Sequence, residues 1–397
     1  MALPKVVIAG AVRSPIGALG GGLAPLQARP LATTIIKALF DKTGLDPKVV
    51  EYTCFGWVMQ DPRSPNLAKI AAELAGVPSS SPGTTYHENC ASGGAAIHDL
   101  ARRIMLGEVT LGVAGGVESM SNVARYLYSG RTKNQLLGDM ALEDGLFGAL
   151  TERNVGKNGE MMGLLTERLV EKYKVTREEQ DEIALRSHHN ALAAWSEGFF
   201  SEYVIPIEVP QKKGTVKVVK DEGPKPVTLD ELRAAKPYFK EGGTITSPNA
   251  SSLNDGAAAV ILTTEDRARE LGLTPLAELR AFHNVGVPRE LMGEGAFKVI
   301  LPLLAKAGLK LADVDYFELN EAFAAVLGAA FHDLDGLLKD KVNQWGSGIS
   351  LGHPVGATGA RQVVDMVQQL RRRNKKIGVT TRCVGGGIGS GELIVKI

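Results

Sequence analysis

The stretch Thr85-Tyr-His-Glu-Asn-Cys90-Ala-Ser-Gly-Gly-Ala-Ala96 places a thiol where a glycine-containing turn runs into an amphipathic helix. Beyond Cys90 the apolar residues Ile97, Leu100, Ala101 and Ile104 recur at three- and four-residue intervals, which predicts a helix with one buried face extending to about Leu106. Cys90 then falls at its first turn, where unsatisfied amide N–H groups and the positive end of the helix dipole favour thiolate over thiol. The expectation is a nucleophile whose pKa lies below the free value of about 8.5. The competing reading is a small buried cysteine filling a gap, because free cysteine is among the most buried residue types.

Two C-terminal segments weigh against a mere filler. In Asn343-Gln-Trp-Gly-Ser-Gly-Ile-Ser-Leu-Gly352-His353-Pro354-Val-Gly356-Ala-Thr-Gly359-Ala-Arg361 a histidine sits in a glycine-flanked turn before a helix predicted over 360–370. A histidine fixed in such a turn can act as a base. In Ile377-Gly-Val-Thr-Thr-Arg-Cys383-Val-Gly385-Gly386-Gly387-Ile-Gly389-Ser-Gly391 a strand ends in a cysteine and a run of glycines, ahead of a last strand over 392–397. Glycines let the backbone take positive φ and approach a ligand closely.

Short β-type runs at 6–9, 110–114, 258–263 and 378–384 alternate with helical patterns, which predicts an α/β architecture. The two halves follow one plan. Each has a turn bearing a reactive residue (Cys90, His353), a helix after it, and a strand read as ending in glycines (Gly115-Gly116, Gly385-Gly386). Between about 121 and 243 the alternation gives way to helices, such as 177–196, and a Lys/Pro/Gly-rich stretch over 211–226. That shift marks an insertion, so the expected division is an N-terminal half, 1–270, carrying the insertion at about 121–243, and a C-terminal half, 271–397.

The 397 residues suffice for two cores, and 44% hydrophobic residues is ordinary for a globular chain. A net charge of +1 gives no long-range bias toward nucleic acid, and Arg371-Arg-Arg-Asn-Lys-Lys376 reads as a solvated helix end. Cys54, Cys90 and Cys383 are odd in number, far apart and free of Cys-x-x-Cys, which argues against a disulfide framework and a zinc site. No apolar run reaches the roughly eighteen residues of a membrane span, and neither a leader pattern nor a C-terminal address is legible. The expected setting is the reducing cytoplasm, without membrane partners. No Gly-x-Gly-x-x-Gly and no Gly-Lys-Ser/Thr loop supports a dinucleotide or ATP site.

Together with Asn320-Glu321-Ala322-Phe323, Gly115-Gly116-Val117-Glu118-Ser119-Met120, Arg13-Ser-Pro-Ile-Gly17 and Asn249-Ala-Ser251-Ser-Leu-Asn254-Asp255-Gly256, these motifs resemble the thiolase family in order and approximate spacing along the whole chain. The resemblance implies the thiolase fold, two βαβαβαββ halves packed as five αβαβα layers with an inserted loop domain over the active site. It implies acyl transfer between coenzyme A thioesters through a Cys90 acyl-enzyme, with no tightly bound cofactor. It assigns His353 to activating Cys90 and Cys383 to moving the α-carbon proton. Asn320 would hold a water that forms one oxyanion hole with His353, and the backbone N–H groups of Cys90 and Gly385 would form the other. For the coenzyme it points to Met162, Ser251 and Phe323, and to Lys225 where the family often has arginine. It also implies a homodimer or homotetramer.

His87, three residues before Cys90, is a rival base by proximity alone. His188 and His189 read as solvated positions of a polar helix, and His98 and His332 fall in helical patterns without other site chemistry. Glu118 and Glu321 read as structural hydrogen-bonding groups rather than acids. Met161, where many acetoacetyl-specific members carry histidine, and the small Gly94 leave room for a longer acyl tail; Gln344-Trp345 and Gly295-Ala-Phe297 also depart from the common pattern. The first functional reading is the joining of two acetyl-CoA into acetoacetyl-CoA and CoA, or its reverse. The alternatives are a 3-ketoacyl-CoA thiolase of fatty-acid degradation and, from another class, a non-catalytic acyl-CoA-binding scaffold. Cys383 at the second acid/base position argues against the carrier-dependent condensing enzymes, which use two histidines.

Overall fold

A computed structural model describes residues 3–127, 139–153, 155–156 and 159–397, so part of the expected insertion lies outside the described residues. The first half contains β1 (Val6–Arg13), α1 (Ala28–Thr43), β2 (Tyr52–Gly56), α2 (Leu67–Leu74), β3 (Gly83–Tyr86), α3 (Ser92–Met105), β4 (Leu111–Ser119) and, after α4 (Met162–Tyr173) and α5 (Arg177–Ser196), β5 (Asn254–Thr264). The second contains β6 (Ala277–Gly286), α6 (Ile300–Lys306), β7 (Tyr316–Leu319), α7 (Ala324–Asp333), α8 (Val355–Arg372), β8 (Ile377–Val384) and β9 (Ile388–Lys396).

The strand order is β3-β2-β4-β5-β1 in the first half and β7-β8-β9-β6 in the second. A single bridge from Phe317 to Val342 stands outside β7, where β3 stands in the other half. The inner strands match in direction as well: β2 runs parallel to β4 as β7 does to β8, while β5 and β9 run antiparallel to both neighbours. Antiparallel pairing of Val7 with Glu278 and of Ile8 with Ala277 joins the halves edge to edge.

Burial follows the layers. One core packs α1 and α2 on the outer face of the first half-sheet, through Leu31, Ile35 and Leu39 against Val7, Val113 and Ile261. A second fills the middle, where Ile97 and Leu100 of α3 and Val363 and Val367 of α8 meet Ile8, Leu262 and Ile394. A third packs α4, α5, α6 and α7 on the outer face of the second half-sheet, around Leu319, Val379 and Leu393. The result is the expected five-layer αβαβα arrangement, with α3 and α8 as the central layer.

That central layer is crowded. Every residue from Val355 to Leu370 is buried, including Arg361, Gln362, Asp365, Gln368 and Gln369. A Cβ on Gly93 would lie 2.8 Å from the Ala360 nitrogen, and one on Gly94 would lie 2.1 Å from Arg382 Nη1. Gly94 therefore lets α3 pass a buried ion pair between Arg382 and Glu392. The sequence reading of Gly94 as space for an acyl tail is corrected: the missing side chain makes room for a guanidinium.

A second correction concerns Gly115 and Gly116. They lie inside β4, which runs on to Ser119, because a Cβ on Gly116 would sit 2.2 Å from the Gly356 carbonyl oxygen and one on Gly115 2.3 Å from that of Ala258. Here glycine reports close packing of the strand rather than its end.

Arg13, at the end of β1, is fully buried and binds both Asp221 oxygens, at 2.7 and 3.0 Å, and Asp365 of α8 at 2.9 Å. One guanidinium thus ties the first strand, the Lys/Pro/Gly-rich stretch and the central helix of the second half. Losing Arg13 would leave the buried carboxylate of Asp221 without its counter-charge, a destabilisation of about 3–5 kcal/mol.

Candidate active site

The turn before α3 is built by Ser92, whose hydroxyl accepts from the Glu88 N–H at 2.9 Å and donates to the Asn89 carbonyl at 2.7 Å. Asn89 takes φ +44°, a left-handed conformation that asparagine tolerates better than most residues. Cys90 follows it and opens onto a cavity of about 570 Å³ that His353 and Cys383 also line.

The Cys90 thiol faces His353 Nε2 at 3.3 Å. On the other side of the ring, His353 Nδ1 lies 2.7 Å from Thr358 Oγ1, whose own proton goes to the Pro354 carbonyl at 3.0 Å. The hydroxyl can then only accept from the ring, so the proton sits on Nδ1 and Nε2 presents its lone pair to the thiol. The His353 backbone N–H donates to Asn254 Oδ1 at 2.8 Å, and Asn254 Nδ2 donates to the Gly17 carbonyl at 3.0 Å. Asn254 thereby anchors the histidine turn to the first half.

Burial sets the electrostatics. It pushes the His353 pKa down to about 3, helped by the charge of Arg361, so the imidazole is neutral. It pushes the Cys90 thiol up to about 11, against the pull of the backbone N–H groups of Gly385 and of Cys90 itself. The expected lowering at a helix start is therefore corrected: Cys90 precedes the first turn, and loss of water around the sulfur outweighs the amides. The resting pair is neutral thiol and neutral imidazole. Cys383 is buried at the end of β8, its thiol pushed far up by burial and further by the nearby Cys90.

Asn320 follows β7, its Nδ2 3.5 Å from His353 Nε2 and its Oδ1 buried without a partner among the described residues. An orphaned buried acceptor beside the base is a natural seat for a water. Gly385 opens a turn continued by Gly386 (φ +94°) and Gly387 (φ +87°). Asn89 Nδ2 donates to the Gly385 carbonyl at 2.8 Å, joining the nucleophile turn of one half to the glycine turn of the other. Sequence reading did not single out Asn89, Asn254 or Thr358 for such work, although all three stand within the quoted motifs.

Met162, Ser251 and Phe323 line the cavity with Met161 and Phe239. Lys225 is exposed and not among the lining residues, close enough to His188 for its charge to oppose protonation there. His188 is buried, which corrects the expectation of a solvated residue, and burial lowers its pKa to about 4. His189 is exposed, and so is His87, which stands outside the catalytic cavity. His98 is buried against Glu392 at 2.8 Å and stacked on Phe282. Glu118 accepts from the N–H groups of Val58, Met59 and Gly356 at 3.2, 3.1 and 2.9 Å, and Glu321 accepts from Ser187 and Asn343. Both carboxylates thus make the structural bonds expected of them.

The family model described as "Thiolase, N-terminal domain" matches residues 6–266, and "Thiolase, C-terminal domain" matches 273–396. The chain belongs to the thiolase family. A probable acetyl-CoA acyltransferase of Staphylococcus epidermidis is 39% identical, over 99% of each chain. The crystal structure of Bacillus anthracis acetyl-CoA acetyltransferase superposes with a TM-score of 0.96 at 40% identity, over 100% of both chains. Human mitochondrial 3-ketoacyl-CoA thiolase does so with a TM-score of 0.95 at 36% identity, again over 100% of both. This thiolase is an acyltransferase, and the likeness to both groups of relatives leaves acyl chain length to be argued from its own cavity.

Proposed function

We propose that this thiolase transfers acyl groups between coenzyme A thioesters through an acyl-enzyme on Cys90. The observation that carries this reading is the Cys90 Sγ to His353 Nε2 contact of 3.3 Å in a cavity shared with Cys383. In thiolysis, His353 takes the Cys90 proton as Sγ attacks the ketone carbon, and the alkoxide collapses with cleavage of the bond to the α-carbon. The electron pair passes to that carbon, which takes a proton from Cys383 and leaves as acetyl-CoA. A second CoA thiol gives its proton to Cys383 and its sulfur attacks the acyl carbon; the Cys90 thiolate that leaves takes back the proton held by His353, returning the enzyme to its starting state. Condensation is the reverse.

Two developing oxyanions need donors in a site with little water, each typically worth about 3 kcal/mol. The backbone N–H groups of Cys90 and Gly385 suit one; Asn320 with a bound water, beside His353, suits the other. Met162, Ser251 and Phe323 would contact the pantetheine arm and Lys225 the nucleotide. Residues 1–270 and 271–397 would be the two halves, with about 121–243 as the covering insertion. No tightly bound cofactor is required.

The joining of two acetyl-CoA, or its reverse, is the smallest reaction of this kind. A second reading, cleavage of longer 3-ketoacyl-CoA, is favoured by the methionine-rich lining around Met161 and Met162, since methionine adapts to varied apolar shapes. Thiolysis of acetoacetyl-CoA beside 3-ketooctanoyl-CoA in one assay decides between them; cleavage of neither would refute the proposal. We further propose a cytoplasmic homodimer or homotetramer. The edge strand β3 leaves one backbone face available for pairing, and among the described residues no helix is long and apolar enough to cross a membrane.

A further inference from the structure

Among the described residues, Cys90 packs against a small apolar cluster whose three buried members come from separate segments: Val58, which follows β2, Met120, which follows β4, and Val355, which opens α8. All three also line the catalytic cavity. They form the floor against which an acyl group on Cys90 Sγ would lie.

One carboxylate holds all three segments. Glu118, fully buried in β4, accepts through Oε2 from the Val58 and Gly356 N–H groups and through Oε1 from the Met59 N–H. Val58 is thus held at its own nitrogen, Val355 through the next residue along the chain, and Met120 by standing two residues beyond Glu118 itself. The Met120 sulfur also accepts from the Asn254 backbone N–H at 3.2 Å, so a side chain that usually adapts its shape is pinned here, by the residue that anchors the His353 turn. At the start of α8, Pro354 supplies no side-chain cap, and the Gly356 N–H would be an orphan donor without Glu118. A Cβ on Gly356 would lie 2.7 Å from Glu118 Oε2, so the glycine is what admits the carboxylate. An amide in its place has one acceptor oxygen, and at least one of the three N–H groups would then face an NH2.

We propose that Glu118 is a positioning residue for the acyl group: by fixing Val58, Met120 and Val355 against Cys90 it sets the acyl length that the site prefers. This rests on the acyl-enzyme reading above and adds to it the residue that decides how closely the cavity fits the chain on the sulfur. Released from the carboxylate, the floor recedes from Cys90, so a short acyl group loses contacts while a longer one gains room. The chemical steps are unchanged, because Glu118 acts on the main chain of the floor and not on the reacting atoms.

The test compares kcat/KM for thiolysis of acetoacetyl-CoA, 3-ketohexanoyl-CoA and 3-ketooctanoyl-CoA by the wild type and by Glu118→Gln, with the thermal midpoint of each protein measured alongside. A methylene in an apolar pocket is worth about tenfold or more, so the variant's preference for longer over shorter chains should rise at least about fivefold. A carboxylate that served only stability would lower the midpoint and leave that preference where it was. A folded Glu118→Gln enzyme with the wild-type preference therefore overturns the proposal and leaves the acyl-transfer reading standing. If that variant does not fold, Val58→Ala, which removes part of the floor directly, should shift the preference the same way, and an unchanged preference there overturns the proposal. Cleavage of none of the three substrates by the wild type overturns the acyl-transfer reading and the proposal with it.

Discussion

Replacing Thr358 with valine nearly preserves side-chain shape and removes the hydroxyl that accepts the His353 Nδ1 proton at 2.7 Å. The buried N–H then has no acceptor, a loss of about 1–3 kcal/mol. The imidazole can escape by shifting its proton to Nε2. That nitrogen would then face Cys90 Sγ across 3.3 Å as a donor, unable to take the thiol proton. Deprotonation of Cys90 is disfavoured either way. At about 1.4 kcal/mol per factor of ten, the loss corresponds to a fall of roughly 5- to 150-fold in kcat/KM for acetoacetyl-CoA thiolysis. Thr358→Ser keeps the hydroxyl and should recover most of the activity. Because Thr358 Oγ1 also bonds the Pro354 carbonyl at 3.0 Å, the thermal midpoint of each variant is measured alongside, to separate catalysis from unfolding. A folded Thr358→Val enzyme with kcat/KM within about twofold of wild type would refute the tautomer argument, since even the weakest expected loss is roughly fivefold.

Four further outcomes follow from the structure. With His353 neutral down to about pH 3 and Cys90 protonated up to about pH 11, kcat/KM should be flat between about pH 6 and 9, and an inflection near the ordinary histidine value of about 6.5 would contradict the neutral pair. The lowered pKa values of His353 and His188 also mean that the unfolded chain binds protons the folded chain refuses. That part of the stability is present above pH about 6.5 and lost as pH falls, while Glu118, raised by burial to about 7, works the other way, so the histidine contribution is read by difference: between pH 7 and pH 5 the urea midpoint of His188→Gln should fall less, or rise more, than that of the wild type. Asn89→Gly keeps the left-handed turn but removes the bond to the Gly385 carbonyl, and should lower kcat/KM about tenfold for about 1–1.5 kcal/mol, read by the thiolysis assay. Gly94→Ala forces a methyl against Arg382 and should cost about 1–3 kcal/mol in a urea titration while leaving chain-length selectivity unchanged; a shift in selectivity would revive the acyl-tail reading of Gly94.

The layered fold was legible because both reactive turns announce themselves: Cys90 and His353 each sit in a glycine-rich turn before a long helix, and β-type runs recur around them. The duplicated strand order was not legible. It depends on pairings between residues such as Gly116 and Ala258, whose sequence separation local patterning cannot bridge. The glycines show the same limit. Gly386 was readable as a turn former, whereas Gly94 and Gly116 serve neighbours from the other half, Arg382 and Gly356, that only the folded chain brings close.

Within the site, the residues that would do chemistry were readable as residue types in motifs, and the structure brings Cys90, His353, Asn320, Cys383 and Gly385 together. The residues that orient them were harder to read. Asn254 and Thr358 act through single hydrogen bonds to one histidine, and asparagine or threonine in a loop or helix start is ambiguous without its partner. The charge state of Cys90 was misjudged for a related reason: helix position is visible in sequence, but the extent of desolvation is not. His188 likewise sits in a polar-looking helix, and that its side chain is buried becomes evident only in the folded chain.

The central claim is tested most directly by incubating the enzyme with acetyl-CoA alone, quenching, and locating the acetyl group by peptide mass spectrometry in the wild type and in Cys383→Ala. The account predicts acetylation of Cys90 in both, with acetoacetyl-CoA formed by the wild type and none by the variant. Acetyl found on another residue, or full condensation by Cys383→Ala, would contradict it.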